Sequence, residues 1–156
     1  LLAHMTKMRK KLLRYRDYST KDIDDLFDGK HKKADVFNIY SFSSCAFINE
    51  KGVFKQLDLP NDAQLSMMNG IDILNNGKEN LIVTSGNFWD TDFDFGKYDA
   101  SIGSILRFKN NKFEVVNNKG FNADQNIRKQ RKIKVDDKTC FLEAVNNGNQ
   151  VMFCPK

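Results

Sequence analysis

Residues 88–99 read Phe88-Trp89-Asp90-Thr91-Asp92-Phe93-Asp94-Phe95-Gly96-Lys97-Tyr98-Asp99, with four acids and five aromatics in twelve positions. Aromatic faces interleaved with carboxylates suit a sugar ring or a cationic peptide side chain, through stacking and charge-assisted hydrogen bonds. Trp89, Asp92, Asp94, Tyr98 and Asp99 are therefore the candidate ligand-binding residues. The plainer alternative is that Phe93, Phe95 and Tyr98 anchor the loop to its own scaffold while the acids stay solvated. Two of Asp90, Asp92, Asp94 and Asp99 would also meet the two-carboxylate requirement of glycoside hydrolysis, which needs a separation of about 5–9 Å that loop spacing does not set. Other catalysis has no foothold. The two histidines, His4 and His31, fall in the N-terminal segment, and the chain has no G-x-S-x-G, H-E-x-x-H or G-x-x-x-x-G-K-[ST]. The expectation is a non-catalytic chain.

Cys45, Cys140 and Cys154 lie far apart and form no C-x-x-C pair, so they offer no zinc site. Cys140 and Cys154 flank a hairpin expected at Asn147-Gly148. A two- or four-residue loop there sets Phe141 opposite Cys154 and turns Cys140 to the other face, which predicts buried free thiols rather than a disulfide. The formal net charge is +5, and residues 1–33 hold ten Lys/Arg against five Asp, while the remainder is balanced. That excess suits a solvated basic helix face; phosphate or anionic lipid is the alternative partner for it. Lys132 and Lys134 alternate with Ile133 and Val135, as on a half-exposed edge strand, and lack the interleaved exposed aromatics of a single-strand nucleic-acid binder. No nucleic-acid partner is expected. No run of about 18 apolar residues exists, so no membrane-spanning helix is expected.

These side chains must be positioned by the elements around them. Leu1, Met5, Met8, Leu12 and Tyr15 recur at steps of four and three opposite Lys7, Arg9, Lys10, Lys11, Arg14 and Arg16, which predicts an amphipathic helix. Ser19-Thr20 can cap a second short helix that stops at Gly29. From Val36 onward, β-branched and aromatic runs alternate with Asn, Gly and Asp, predicting strands at 36–48, 53–57, 67–73, 80–84, 104–108, 112–116, 132–135, 139–145 and 150–154. The turns carry residues that tolerate positive φ, such as Asn110-Asn111 and Asp136-Asp137. Strands 67–116 read as a short hairpin, a long excursion and a second hairpin, hence one four-stranded meander. A second meander begins near Lys132 and has three strands.

Gly70-Ile71-Asp72-Ile73-Leu74-Asn75-Asn76-Gly77-Lys78-Glu79-Asn80-Leu81 resembles the D-x-D-x-D-G-x-x-D-L turn of FG-GAP/VCBS repeat proteins, in particular the bacterial group that carries an ASPIC/UnbV-type region. Thr84-Ser85-Gly86-Asn87-Phe88 is similar to that group's "AGNF" strand end, Gly96-Lys97-Tyr98-Asp99-Ala100-Ser101-Ile102-Gly103 to its "GRYDASYG" segment, and Phe108-Lys109-Asn110-Asn111-Lys112-Phe113 to its "DGKGNF" hairpin. The likeness extends to Ser43-Ser44-Cys45-Ala46-Phe47-Ile48-Asn49 and the helical start, and so covers nearly the whole chain. It implies an all-β fold of antiparallel four-stranded blades, a partial β-propeller related to the integrin α head, over 34–156, about two and a half blades, after a basic helical segment at 1–33. It also implies a cell-surface or extracellular location, with adhesion to a protein or glycan ligand, and the rest of a parent propeller as a further partner; the absence of an initiator Met fits an upstream part. In the family the turn binds calcium. Here Asp72 keeps the first carboxylate, Leu74, Asn76 and Asn80 replace the others, and Lys78 offers only its carbonyl, so the expectation is an Asn-Gly hairpin standing without metal or other cofactor, with calcium as the alternative. A purely structural blade set without its own ligand is the alternative to adhesion, and a glycan-active enzyme the third reading.

Overall fold

The computed structural model describes residues 5–116 and 120–155 of the chain; Leu1 and His4, which the sequence places at the helical start, lie outside the described residues. The chain divides into two compact units, Leu1–Ser41 and Phe42–Lys156.

The first unit is helical, with α1 (Thr6–Lys11), α2 (Tyr15–Ser19), α3 (Ile23–Phe27) and a 3-10 turn at Lys30–Lys33. The apolar spacing predicted an unbroken helix through Tyr15, but Leu12 leaves helical geometry at φ −116°, ψ 87°. Lys7 with Lys11, and Lys10 with Arg14, set like charges four residues apart, which weakens a helix at this point. Lys11 Nζ instead reaches Asp28 Oδ2 at 2.6 Å, and this hydrogen bond lowers the Asp28 pKa. Asp22, rather than Ser19 or Thr20, caps α3 by accepting from the Asp25 amide at 2.8 Å, and the left-handed Asp28 and Gly29 end it.

The second unit is mostly antiparallel β, as the alternation predicted, with one 3-10 turn at Asn61–Ala63. β1 (Cys45–Glu50) and β2 (Val53–Asp58) form a hairpin. β3 (Gly70–Asn75), β4 (Asn80–Ser85), β5 (Ser104–Lys109) and β6 (Lys112–Val115) form a four-stranded meander in chain order, and β7 (Ile127–Val135), β8 (Lys138–Val145) and β9 (Val151–Phe153) a three-stranded one. The two-residue turns Asn110-Asn111 and Asp136-Asp137 have positive φ at both positions, the backbone that matches the twist of a tight hairpin. Residues 36–44, expected to begin the first strand, lie outside β1.

One core joins the two meanders. Leu74, Leu81, Val83 and Ile105 from the first meet Ile127, Phe141 and Val145 from the second, with Phe121 and Ala123 from the connection between them. Val83, Ile127 and Phe141 are fully buried, each worth about 1.5–3 kcal/mol of burial. β3 lies beside β7: the Lys132 amide donates to Asp72 Oδ2 at 2.8 Å, and Asn69 Nδ2 donates to the Ile127 carbonyl at 3.0 Å.

The expected free thiols are corrected by the register of β8 and β9. Phe141 pairs with Phe153, not Cys154, and Glu143 with Val151. The connection between the paired Glu143 and Val151 thus has an odd number of residues, whereas the tight turns assumed from Asn147-Gly148 have an even number. That one-residue difference turns Cys140 and Cys154 to the same face, and they form a disulfide with Cα atoms 4.2 Å apart. Cys45 stays free.

Candidate functional site

The excursion 86–103 between β4 and β5 is built on two glycines and a buried asparagine. At Gly86 (φ +147°) a side chain would strike the Met67 carbonyl, and at Gly103 (φ +78°) the Phe121 ring, so both ends of the excursion press backbone against neighbouring groups. Asn87, fully buried, donates from Nδ2 to the carbonyls of Ser101 (2.9 Å) and Asp124 (3.0 Å), while its Oδ1 accepts from the Ser101 amide at 3.2 Å. One side chain thereby ties the two legs of the loop together and holds both to the connection before β7. Above it, Phe88 and Tyr98 exchange both backbone hydrogen bonds, at 2.9 and 2.8 Å.

Beyond this bridge the loop divides into an anchored side and a presented tip. Asp90 Oδ2 accepts from Arg128 Nη2 on β7 and from Asn146 Nδ2, the latter at 2.9 Å, and the Arg128 guanidinium lies 4.9 Å from the Phe88 ring centre. Lys97 Nζ sits 4.6 Å over the Trp89 ring, and Trp89 Nε1 is buried with no hydrogen-bond partner among the described residues. At the tip, the Phe95 amide donates to the Asp92 carbonyl at 3.0 Å and the Asp94 amide to Asp92 Oδ1 at 3.3 Å. That turn leaves Phe93 98% accessible and Phe95 70%. Tyr98 is half-exposed, and Asp92, Asp94 and Asp99 are exposed. The structure therefore places Asp92, Asp94, Tyr98 and Asp99 on the accessible part of the loop and half-buries Trp89 under Lys97. Sequence reasoning missed Asn87, and it named Asp90 only as a candidate carboxylate, not as an anchor; in a run of alternating acids nothing marks the one that meets an arginine 38 residues later.

The side-chain oxygens of Asp72, Asn76 and Asn80 accept hydrogen bonds from the protein itself. The Asp72 carboxylate faces β7, accepting from the Lys132 amide and, at 3.2 Å, from the Ile73 amide. Asn76 Oδ1 accepts from the amides of Lys78 (3.0 Å) and Glu79 (2.9 Å), and Asn80 Oδ1 accepts from Asn75 Nδ2 at 2.9 Å. Asn76 and Asn80 thus bond within the turn, which is the chemistry of an Asx-stabilised turn. Glu79 closes the turn on Arg107 through two hydrogen bonds, 2.5 and 2.6 Å, which lower the Glu79 pKa and raise that of Arg107. Among the described residues no three His, Cys, Asp or Glu side chains gather to hold a metal, and no helix is long and apolar enough to cross a membrane.

A buried polar row lies beneath the loop, between the two meanders. Ser85 Oγ donates to Gln130 Oε1 at 2.8 Å, and Gln130 Nε2 donates to the Val83 carbonyl at 3.3 Å. Glu143, paired with Gln130 across β7 and β8, is fully buried, and neither carboxylate oxygen has a hydrogen-bond partner among the described residues. Burial pushes its carboxyl up to about 7; the nearby Ser85 hydroxyl acts against the rise and the Asp124 charge adds to it.

Comparison with known proteins finds no matching family, no similar curated protein and no similar solved structure. Fold and site by themselves define an antiparallel β module carrying one long, base-anchored loop.

Proposed function

We propose that the second unit is a non-catalytic binding module made of blades of a partial β-propeller, and that its 88–98 loop engages a protein or glycan at the cell surface or outside the cell. The observation that carries this reading is the contrast within the loop. Its base is held by Asn87 and Asp90, while Phe93, Phe95 and Tyr98 stand in solvent beside Asp92, Asp94 and Asp99. A rigid base lowers the entropy cost of binding, and exposed rings near the centre of a contact supply most of its energy.

The propeller part rests on the likeness to FG-GAP/VCBS repeats and on two successive meanders that share a core and bring their first strands, β3 and β7, together. The extracellular part gains support from the Cys140–Cys154 disulfide, which persists in oxidising compartments. The role as proposed uses no cofactor. A structural blade set without its own ligand is favoured by one observation, that Lys97 already covers the Trp89 face.

Binding of the labelled chain to a glycan array and to a panel of immobilised basic peptides separates the two. Saturable binding that is lost in a Phe93→Ala/Phe95→Ala/Tyr98→Ala variant with an unchanged melting temperature is the expected result. Binding to neither panel, or binding indifferent to the three substitutions, would leave the loop as scaffold.

A further inference from the structure

We propose that the first unit attaches the chain to the surface of a bilayer rich in anionic lipid, with residues 36–40 seated at the boundary of headgroups and acyl chains and the lysines and arginines before them on the headgroups. The unit does not bury its own apolar side chains. Its helices are six, five and five residues long, well short of the about 12 residues a helix needs to stand by itself in water. Among the described residues of the unit, Met8 alone is buried. Phe37 and Tyr40 are 89% and 93% accessible, and Leu13, Tyr15, Val36 and Ile39 are exposed as well. Large apolar side chains gathered in water mark an interaction site. No helix of the described residues is long and apolar enough to cross a membrane, so this unit would lie on the bilayer rather than span it.

Charge selects the partner. Residues 1–33 hold ten Lys/Arg against five Asp. Three of those acids already have cations of the unit beside them: Asp24 has Lys32 and His31, Asp25 has Lys21, and Asp28 has Lys11. Lys7, Arg9, Lys10, Arg14, Arg16 and Lys33 are exposed and form no ion pair among the described residues. A second copy of the chain would set the same cations against these, and like charges repel. A nucleic acid would meet the cations and stack on Phe37 and Tyr40, but it offers nothing to Leu13, Val36 and Ile39. An anionic bilayer answers both needs at once. Its phosphates attract each lysine or arginine near the surface, and its fluid acyl layer accepts aliphatic and aromatic side chains alike. Aromatic rings such as Phe37 and Tyr40 suit the depth where headgroup meets acyl chain.

The test is co-sedimentation of the full chain with vesicles of phosphatidylcholine alone and of phosphatidylcholine mixed equally with phosphatidylglycerol. Binding to the mixture should be at least about tenfold tighter than to the neutral lipid and should weaken as salt is raised. Val36→Ser/Phe37→Ser/Ile39→Ser/Tyr40→Ser leaves the charge unchanged and should cost at least about tenfold in affinity. Lys7→Gln/Arg9→Gln/Lys10→Gln should cost a similar factor, and both variants should melt at the wild-type temperature. The Phe93→Ala/Phe95→Ala/Tyr98→Ala variant should bind vesicles as wild type does, which keeps this attachment separate from whatever the 88–98 loop engages. No preference for the anionic mixture, binding that survives either the serine or the glutamine substitutions, or tight binding to duplex DNA with the vesicles left unbound overturns the proposal.

Discussion

Glu143 is buried on the core face between Phe141 and Val145, and this has a signature in pH. The folded carboxyl titrates near 7, against 4.5 for the unmodified group, so between those values the folded chain holds a proton that the unfolded chain has lost. Stability therefore falls as pH rises from about 4.5 through about 7 and is level above. Glu143→Gln should remove that slope and leave the variant more stable than wild type at pH 8 by on the order of 2 kcal/mol, read from denaturant unfolding at a series of pH values. A variant that keeps the wild-type slope would show that another group carries it. Period-two alternation does put Glu143 on one face with Phe141 and Val145, but Cys140 and Leu142 make the other face apolar too. The sequence therefore left open which face meets the core. Asn87 was read only as part of a strand end, and only the fold brings Ser101 and Asp124 within its reach.

At the scale of elements, Asp90 is expected to hold the loop rather than the fold. Its ion pair with Arg128 is half-exposed, and such pairs contribute about 0–1 kcal/mol. Asp90→Ala should lower global stability by less than about 1 kcal/mol while raising amide hydrogen exchange across 88–98 well above that of β4 and β5. Unchanged exchange in the loop would remove Asp90 from its anchoring role. The strands themselves were legible because Asn- and Asp-rich turns punctuate them, and the meander order followed from the spacing of those turns. Two elements were not. Strand propensity at 36–44 predicted a ladder, but the Ser44 backbone bonds the Gln64 side chain instead, at 2.8 Å from both its amide and its carbonyl, and the ladder begins at Cys45. The first helix broke at Leu12 because its apolar stripe says nothing of the repulsion among Lys7, Lys10, Lys11 and Arg14.

For the whole molecule, the most consequential difference between expectation and structure is a single residue of register. It converts two separate thiols into a bond that closes β8 and β9 over a 14-residue separation, worth about 3 kcal/mol by loop-closure arithmetic. Phe153 on β9 packs 4.7 Å from the Phe121 ring centre, so the bond also secures part of the core that the two meanders share. The same bond makes the unit tolerant of damage. Residues 147–150 are exposed, and a protease that cut the backbone there would produce two polypeptides held by a covalent clasp, with the severed terminal peptide still docked as β9. Cleavage at a single recognition site inserted after Gly148 should give a cut chain that runs as one band without reductant and two with it, and that melts close to the intact protein until the clasp is reduced.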